Sequence, residues 1–214
     1  MLFFDVHTHK TCSVEDVFSI VNKYPNSTNF SRPFSIGIHP WFAKQETLEE
    51  ELLFVEHQIQ NNNCLAVGEC GLDKRSLTNF EFQKAVFIKQ ILLSEKYQKP
   101  LMIHCVKAHQ EIIEIKKELK PIQTWLFHGF NKNSQIAKSL LKNRIILSIG
   151  PVIIKNTKLQ EVFLELPLSS ILLETDDTEI EIREVYQKAS EIKKKRIEEL
   201  QQVLHQNFKD IFIK

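Results

Sequence analysis

Glycine is scarce in this chain, five in 214 residues, and proline is little commoner at seven. That shortage excludes flexible linkers and low-complexity tracts. Four cysteines, Cys12, Cys64, Cys70 and Cys105, make no CxxC pair and no dense framework. A zinc ribbon and a disulfide-stapled fold are therefore excluded, and the thiols are expected to be reduced, most of them small core fillers. Long hydrophobic runs are missing too. Apolar stretches such as Ile145–Ile149 are strand-length, far short of a membrane span. The start, MLFFDVHTHK, has neither the basic n-region nor the long apolar segment of a secretory signal. Nor does one sign of charge dominate. With 28 basic and 27 acidic residues the net charge is +1, which gives no global field to gather nucleic acid, so any such contact must be local. These absences lead to the expectation of a cytoplasmic protein with no membrane association and no obligate protein partner.

What is present is ordinary for a globular protein: 43% hydrophobic and 26% charged residues. The chain is long enough to bury a core without a disulfide or a structural metal. No repeat or compositional break divides it, so one domain over residues 1–214 is expected. Eight β-rich apolar runs can be read along it: Leu2–His9, Val17–Asn22, Phe34–His39, Leu65–Glu69, Leu101–Val106, Thr124–Phe130, Arg144–Gly150 and Ser170–Asp176. Helical periodicity falls between most of them, over Thr47–Gln60, Glu81–Gln98, Lys107–Leu119, Ser134–Lys142 and, more briefly, Thr157–Leu164. A last long stretch, Arg183–Gln206, carries the charged run EIKKKRIEELQQ, read as the solvated face of one helix. Strands alternating with helices predict an α/β fold of parallel units, and eight of them predict a (β/α)₈ TIM barrel. The link from Lys10 to Asp16 is too short for an ordinary helix, so the barrel is expected to be compact and trimmed between its first two strands.

The ionisable residues collect at the C-terminal ends of these strands: His7 and His9, His39, Glu69, His104, His128, and Asp176 with Asp177. In a parallel barrel those ends form one face, where the βα loops converge and active sites are built. On a strand the two imidazoles of His7-Thr8-His9 point the same way and can share a cation. On a helix they would diverge by about 200°. A lone histidine after an apolar run, such as His104 after LMI or His128 after WLF, reads most simply as a satisfied core residue. Glu69 in AVGECGLD and Asp176 in ILLETDD are harder to explain that way, because burying a carboxylate is costly unless something positive meets it. Glu174 shares the strand face of Asp176, deeper along the strand. Cys70 and Cys105 alternate with Glu69 and His104 and are read as buried thiols. Imidazole and carboxylate donors without thiolate suit Zn²⁺, Mn²⁺, Ni²⁺ or Mg²⁺. Six donors exceed what one tetrahedral ion needs and suit two ions bridged by a carboxylate with an activated water between them, a hydrolase arrangement.

The ordered set DVHTH, GIHPW, AVGECGLD, MIHC, FHGF and LLETDD resembles the TatD family of metal-dependent hydrolases, a branch of the amidohydrolase-like TIM barrels. The resemblance implies phosphodiester hydrolysis of nucleic acid, of the deoxyribonuclease or 3′ to 5′ exonuclease type, dependent on divalent metal. It further implies that His7, His9 and Asp176 bind one ion, that His104 and His128 bind another, and that Glu69 bridges them. Asp176 and Glu69 are then the catalytic carboxylates, with Asp176 orienting the attacking water and taking its proton. His39 lies at the pocket wall near substrate, and Gln83 is read as structural. Two departures stand out. Val106 occupies the place where the family has an arginine, leaving Lys107 as the candidate phosphate contact, and the loop after ETDD runs almost directly into the last helix. Three alternatives remain: a polymerase-and-histidinol-phosphatase-type phosphoesterase, whose start also reads DxHxHT with a nearby serine, a small-molecule amidohydrolase, and an idle barrel used as a binding scaffold.

Overall fold

The computed structural model describes residues 2–11 and 14–213. Cys12 lies outside the described residues. In chain order the elements begin with three strands, β1 (Phe3–Thr8), β2 (Val17–Lys23) and β3 (Phe34–Ile36). There follow α1 (Leu48–Ile59), β4 (Cys64–Asp73), α2 (Phe80–Lys96), β5 (Leu101–Val106) and α3 (His109–Leu119). The second half runs β6 (Trp125–Phe127), α4 (Ser134–Lys142), β7 (Ile145–Ile149), α5 (Thr157–Glu165), β8 (Ile171–Leu173), α6 (Ile182–Lys193) and α7 (Ile197–Phe212). Among the described residues no helix is long and apolar enough to cross a membrane. The chain forms two compact units, Met1–Val21 with His128–Lys214, and Asn22–Phe127.

In the first unit β1 pairs in parallel with β2, Phe3 opposite Val17 and Asp5 opposite Ser19, and β7 pairs in parallel with β8, Ile149 opposite Leu173. The chain leaving β8 returns to β1. His9 N donates to Asp176 O at 3.2 Å and Asp176 N donates to His7 O at 2.9 Å. Residues Phe4 to Thr8 are buried without alternation, as befits a parallel strand covered on both faces. Val6, Ile20, Leu147, Ile149, Leu173, Tyr186, Leu204 and Phe208 fill the core of this unit. In the second unit β3, β4, β5 and β6 pair in parallel in that order, with Ile36 opposite Val67, Gly71 opposite His104 and Ile103 opposite Phe127. Gly68, at φ +131°, lies so close to β5 that a Cβ there would meet Met102 O at 2.3 Å, so only glycine fits. Phe34, Val67, Phe87, Leu101, Ile103 and Trp125 form its core.

Asparagine starts three helices. The side chains of Asn79, Asn133 and Asn156 accept from the backbone N–H three residues on, at 3.0, 3.0 and 3.1 Å. Each such cap contributes about 1 kcal/mol. Among the described residues no helix separates β1 from β2, as expected, and none separates β2 from β3. Ser134–Lys142 and Leu101–Val106 lie where the sequence puts them, whereas β3, β6 and β8 are three-residue strands, shorter than their apolar runs. The extra apolar residues continue into loops that remain buried, such as Ile38 and Phe130.

One expectation is corrected. The stretch Arg183–Gln206 is two helices. Lys194, at φ +52°, caps α6 by donating to Glu191 and Ser190 carbonyls, and Ser190 Oγ donates to Lys195 O at 2.5 Å. The run KKKR therefore marks a turn, and the two helices bury separate apolar faces, Val185, Tyr186 and Ala189 on one and Leu200, Leu204 and Phe208 on the other.

The thiols of the second unit give a direct check on its packing. Burial pushes Cys64 up to about 12 and Cys70 well above the ordinary thiol value. Thiolate, the reactive form, is then negligible at neutral pH. Iodoacetamide at pH 8 should leave Cys64 and Cys70 intact in the native protein and alkylate both in guanidinium. Peptide mapping that finds either one modified in the folded state would contradict this packing.

Candidate functional site

In the first unit, His7 lies one residue before the end of β1 at Thr8 and His9 follows directly, while β8 ends three residues before Asp176. The two backbone bonds between these segments fix Asp176 opposite the histidines, and Asp176 itself adopts φ +53° to turn there. Aspartate tolerates that left-handed conformation better than most residues. Asp176 Oδ1 lies 3.5 Å from His7 Nε2 and 3.4 Å from His9 Nε2. The His7 and His9 rings stand perpendicular with centroids 5.2 Å apart, and His128, just past β6, sets its ring 4.3 Å from that of His7. One donor atom from each of His7, His128 and Asp176 falls within 4.8 Å of the others. Burial works to raise the Asp176 carboxyl, but hydrogen bonds from His7 and His9 and the positive potential of His128 outweigh it and hold the group far below the usual range. Glu174, fully buried, supports His128 from behind. Its Oε1 accepts from Gly129 N at 2.6 Å and lies 3.5 Å from His128 Nδ1.

In the second unit Glu69 is the hub. Its backbone N donates to Asn22 Oδ1 at 2.9 Å, and Asn22 Nδ2 donates back to Glu69 Oε2 at 3.5 Å. Its Oε1 faces His104 Nδ1 at 2.9 Å and His39 Nε2 at 3.5 Å. His39 Nδ1 accepts from Trp41 N at 3.1 Å, which leaves the proton on Nε2 and aims it at Glu69. The other nitrogen of His104, Nε2, lies 3.1 Å from Asp73 Oδ2. Asp73 is buried and held by Arg75 N at 2.7 Å and Trp41 Nε1 at 2.6 Å. Burial works to raise its pKa, yet the donors from Arg75, Trp41 and His104 prevail and lower it. Gln83 clamps the backbone beneath, its Oε1 accepting from Asp73 N at 2.8 Å and its Nε2 donating to Asp73 O at 3.1 Å. Gln83 thus has the structural place expected of it.

The two clusters fit divalent ions by donor chemistry. Each offers imidazole nitrogen and carboxylate oxygen with no thiolate, a borderline-to-hard set. Donors on tetrahedral arms of about 2.1 Å sit about 3.4 Å apart, and the Asp176 contacts to His7 and His9 match that spacing. Of the residues singled out in the sequence, His7, His9, His128 and Asp176 come together in the first unit, and His39, Glu69 and His104 in the second. Lys107 lies exposed just past β5 at φ +56°. Asp177 is exposed on a loop, because β8 has already ended. Sequence reasoning assigned no role to Asp73, Asn22 or Trp41. The signals were a carboxylate inside GECGLD, an amide closing the apolar run Val17–Asn22, and an aromatic directly after GIHP.

The comparisons agree on one family. The model described as TatD related DNase matches residues 3–213, and so spans both units. A TATDN1 homolog of Vairimorpha ceranae is 31% identical over 160 residues, 73% of this chain and 56% of that protein. The chain thus spans little more than half the length of that relative. The uncharacterized metal-dependent hydrolase YabD of Bacillus subtilis is 29% identical over 195 residues, 83% of this chain and 76% of that protein. Among solved structures, the crystal structure of the TatD homolog YjjV from Escherichia coli superposes with a TM-score of 0.81 at 22% identity, covering 98% of this chain and 97% of that one. A likeness at that identity shows the fold: the strands, sequential from β1 to β8, are those of a (β/α)₈ TIM barrel, as the sequence predicts.

Asp73 yields a test free of metal. In chelator-treated protein Asp73→Asn should cost roughly 1–3 kcal/mol at pH 7, because an amide cannot accept from Trp41, Arg75 and His104 together. The folded carboxyl titrates below its ordinary value of 3.8, so its stabilisation is present above that pH and fades as the pH falls through the lowered folded value. Urea midpoints of the two proteins should differ at pH 7 and converge below pH 4. A gap that stays constant with pH would show that the charge of Asp73 contributes nothing.

Proposed function

The chain belongs to the TatD-related DNase family, and we propose that it is a divalent-metal-dependent hydrolase of phosphodiester bonds in nucleic acid, of deoxyribonuclease or exonuclease type. The observation that carries the reading is Asp176, a carboxylate fixed by two backbone hydrogen bonds with two imidazole nitrogens 3.4 and 3.5 Å from one oxygen. Folding alone requires no such arrangement. His7, His9, His128 and Asp176 in one unit, and Glu69 and His104 in the other, are the proposed ligands for one or two ions drawn from Zn²⁺, Mn²⁺, Ni²⁺ and Mg²⁺. When bound, such ions lower the pKa of water and offset charge on phosphoryl oxygens.

The residues of the chain supply the rest. Asp176, kept ionised, orients the attacking water and accepts its proton on a carboxylate oxygen. Glu69, the second catalytic carboxylate, is held in place by both ends of the Asn22 amide. His39 presents Nε2–H and donates toward substrate or Glu69. Lys107 offers an exposed ammonium to the phosphate chain, a point charge rather than the bidentate fork of an arginine.

Asp176→Asn separates ligation from proton transfer. An amide oxygen can still coordinate, but it has no basicity near neutral pH. The variant should keep bound metal by elemental analysis and lose about 10²- to 10⁴-fold in kcat on a 3′-labelled oligonucleotide. KM should change little. Asp177→Asn, on the exposed loop, should be mild. Lys107→Ala should mainly raise KM, since it removes binding shared by ground and transition states. Equal and small effects of Asp176→Asn and Asp177→Asn would show that the assigned base is wrong.

A further inference from the structure

Beside the Glu69–His104 cluster, wholly within the second unit, lies a cavity of about 510 Å³ whose walls include Tyr24, His39, Trp41, Phe42 and Lys44. Two of these rings are exposed to a degree unusual for their type, Trp41 at 58% and Phe42 at 53%. They are not loose. Trp41 is anchored at both ends, its N to His39 Nδ1 at 3.1 Å and its Nε1 to Asp73 Oδ2 at 2.6 Å, and Phe42 N donates to His39 O at 3.0 Å. The rings stand edge to face, with Tyr24 and Phe42 centroids 5.6 Å apart at 90° and Trp41 and Phe42 6.5 Å apart at 83°. A rigid apolar surface left open to water, in a concavity of ligand size, costs solvation and marks a binding site.

We propose that this cavity is a stacking subsite for one unpaired base of a single-stranded nucleic acid, a deepening of the nuclease reading on which it rests. Aromatic faces take any base, because every base has a π-face, and a cation beside them meets the backbone. The exposed ammonium of Lys44 supplies that cation, and Asn26 on the wall offers polar groups to a base edge, while the one carboxylate on the wall, Glu51, accepts from Thr47 Oγ1 at 2.8 Å. The placement also fits a nucleotide next to the reacting phosphate. The Trp41 ring lies 5.9 Å from that of His104, and His39 both lines the cavity and faces Glu69. A base held against Trp41 or Phe42 therefore has its sugar and phosphate beside the acid and imidazole groups. An apolar peptide side chain would use the rings and leave Lys44 unmatched.

The chain carries its own reporter. It has two tryptophans, and Trp125 is fully buried whereas Trp41 is open. In EDTA, which prevents cleavage, titration with an eight-residue oligothymidylate should quench Trp41 emission to saturation, and the Trp125→Phe protein should retain the whole effect. Phe42→Ala should weaken the apparent affinity by about 5- to 100-fold, the loss of one stacked base. An oligomer of abasic sugar phosphates with the same charge should leave the emission unchanged. Quenching by the abasic oligomer, an unchanged affinity in Phe42→Ala, or quenching by an apolar peptide in place of the oligonucleotide would each overturn the subsite. Cleavage with metal restored is scored apart from this. An oligothymidylate that is cut but never quenches Trp41 leaves the nuclease reading standing and removes the subsite. One that quenches Trp41 but is never cut supports the base site and removes the nuclease reading.

Discussion

A carboxylate taken out of water must find donors or give up its charge, and four such groups, Asp5, Glu69, Asp73 and Glu174, are buried among the described residues. How each is met decides the chemistry available to it. Burial pushes Asp5 up to about 7, despite hydrogen bonds from Thr175 N at 3.0 Å and Thr175 Oγ1 at 2.6 Å, and the nearby charge of Glu174 adds to the rise. Asp176, in the same unit but half-buried, goes the opposite way because imidazoles face it. One carboxyl is thus prepared to hold its proton near neutrality and the other to remain ionised. Local partners set the difference, since both belong to the same pair of neighbouring chain segments, β1 and the loop after β8.

The second unit meets the same constraint with a relay of fixed groups. Trp41 and Arg75 hold Asp73, Asp73 faces His104, and His104 faces Glu69, which Asn22 grips from the other side. A ring with a carboxylate on each nitrogen has little freedom to tilt. That geometry is the second layer of support a metal-binding histidine needs if its donor atom is to stay aimed. Gln83 and Gln90 extend the support to the backbone, Gln90 bonding both polar atoms of Ile38 at 2.7 and 3.0 Å just before His39. The site residues thus sit at strand ends, while helix side chains reach in to hold the loops that carry them.

Much of this was legible in the sequence. The strand-end histidines and acids mark themselves as polar residues that close apolar runs, and helix periods locate the helices between them. Three things were not legible, each for a physical reason. The residues supporting a site resemble ordinary polar residues, so Asp73 and Asn22 show their role only when partners far along the chain converge on them. A charged run such as KKKR reads as one solvated helix face, because a left-handed cap at a lysine has no compositional signal comparable to glycine. Strand ends are also blurred where a buried loop stays apolar, as at Ile38 and Phe130, since burial rather than pairing sets hydrophobicity there.

Anomalous diffraction from crystals grown with Mn²⁺ tests the central claim most directly, because it shows which side chains hold an ion. The account predicts anomalous peaks at coordination distance from His7, His9, His128 and Asp176 and from Glu69 and His104, with Asp73 and Glu174 outside that distance behind the histidines they support. Peaks confined to other acidic residues, or none at saturating Mn²⁺, would contradict it.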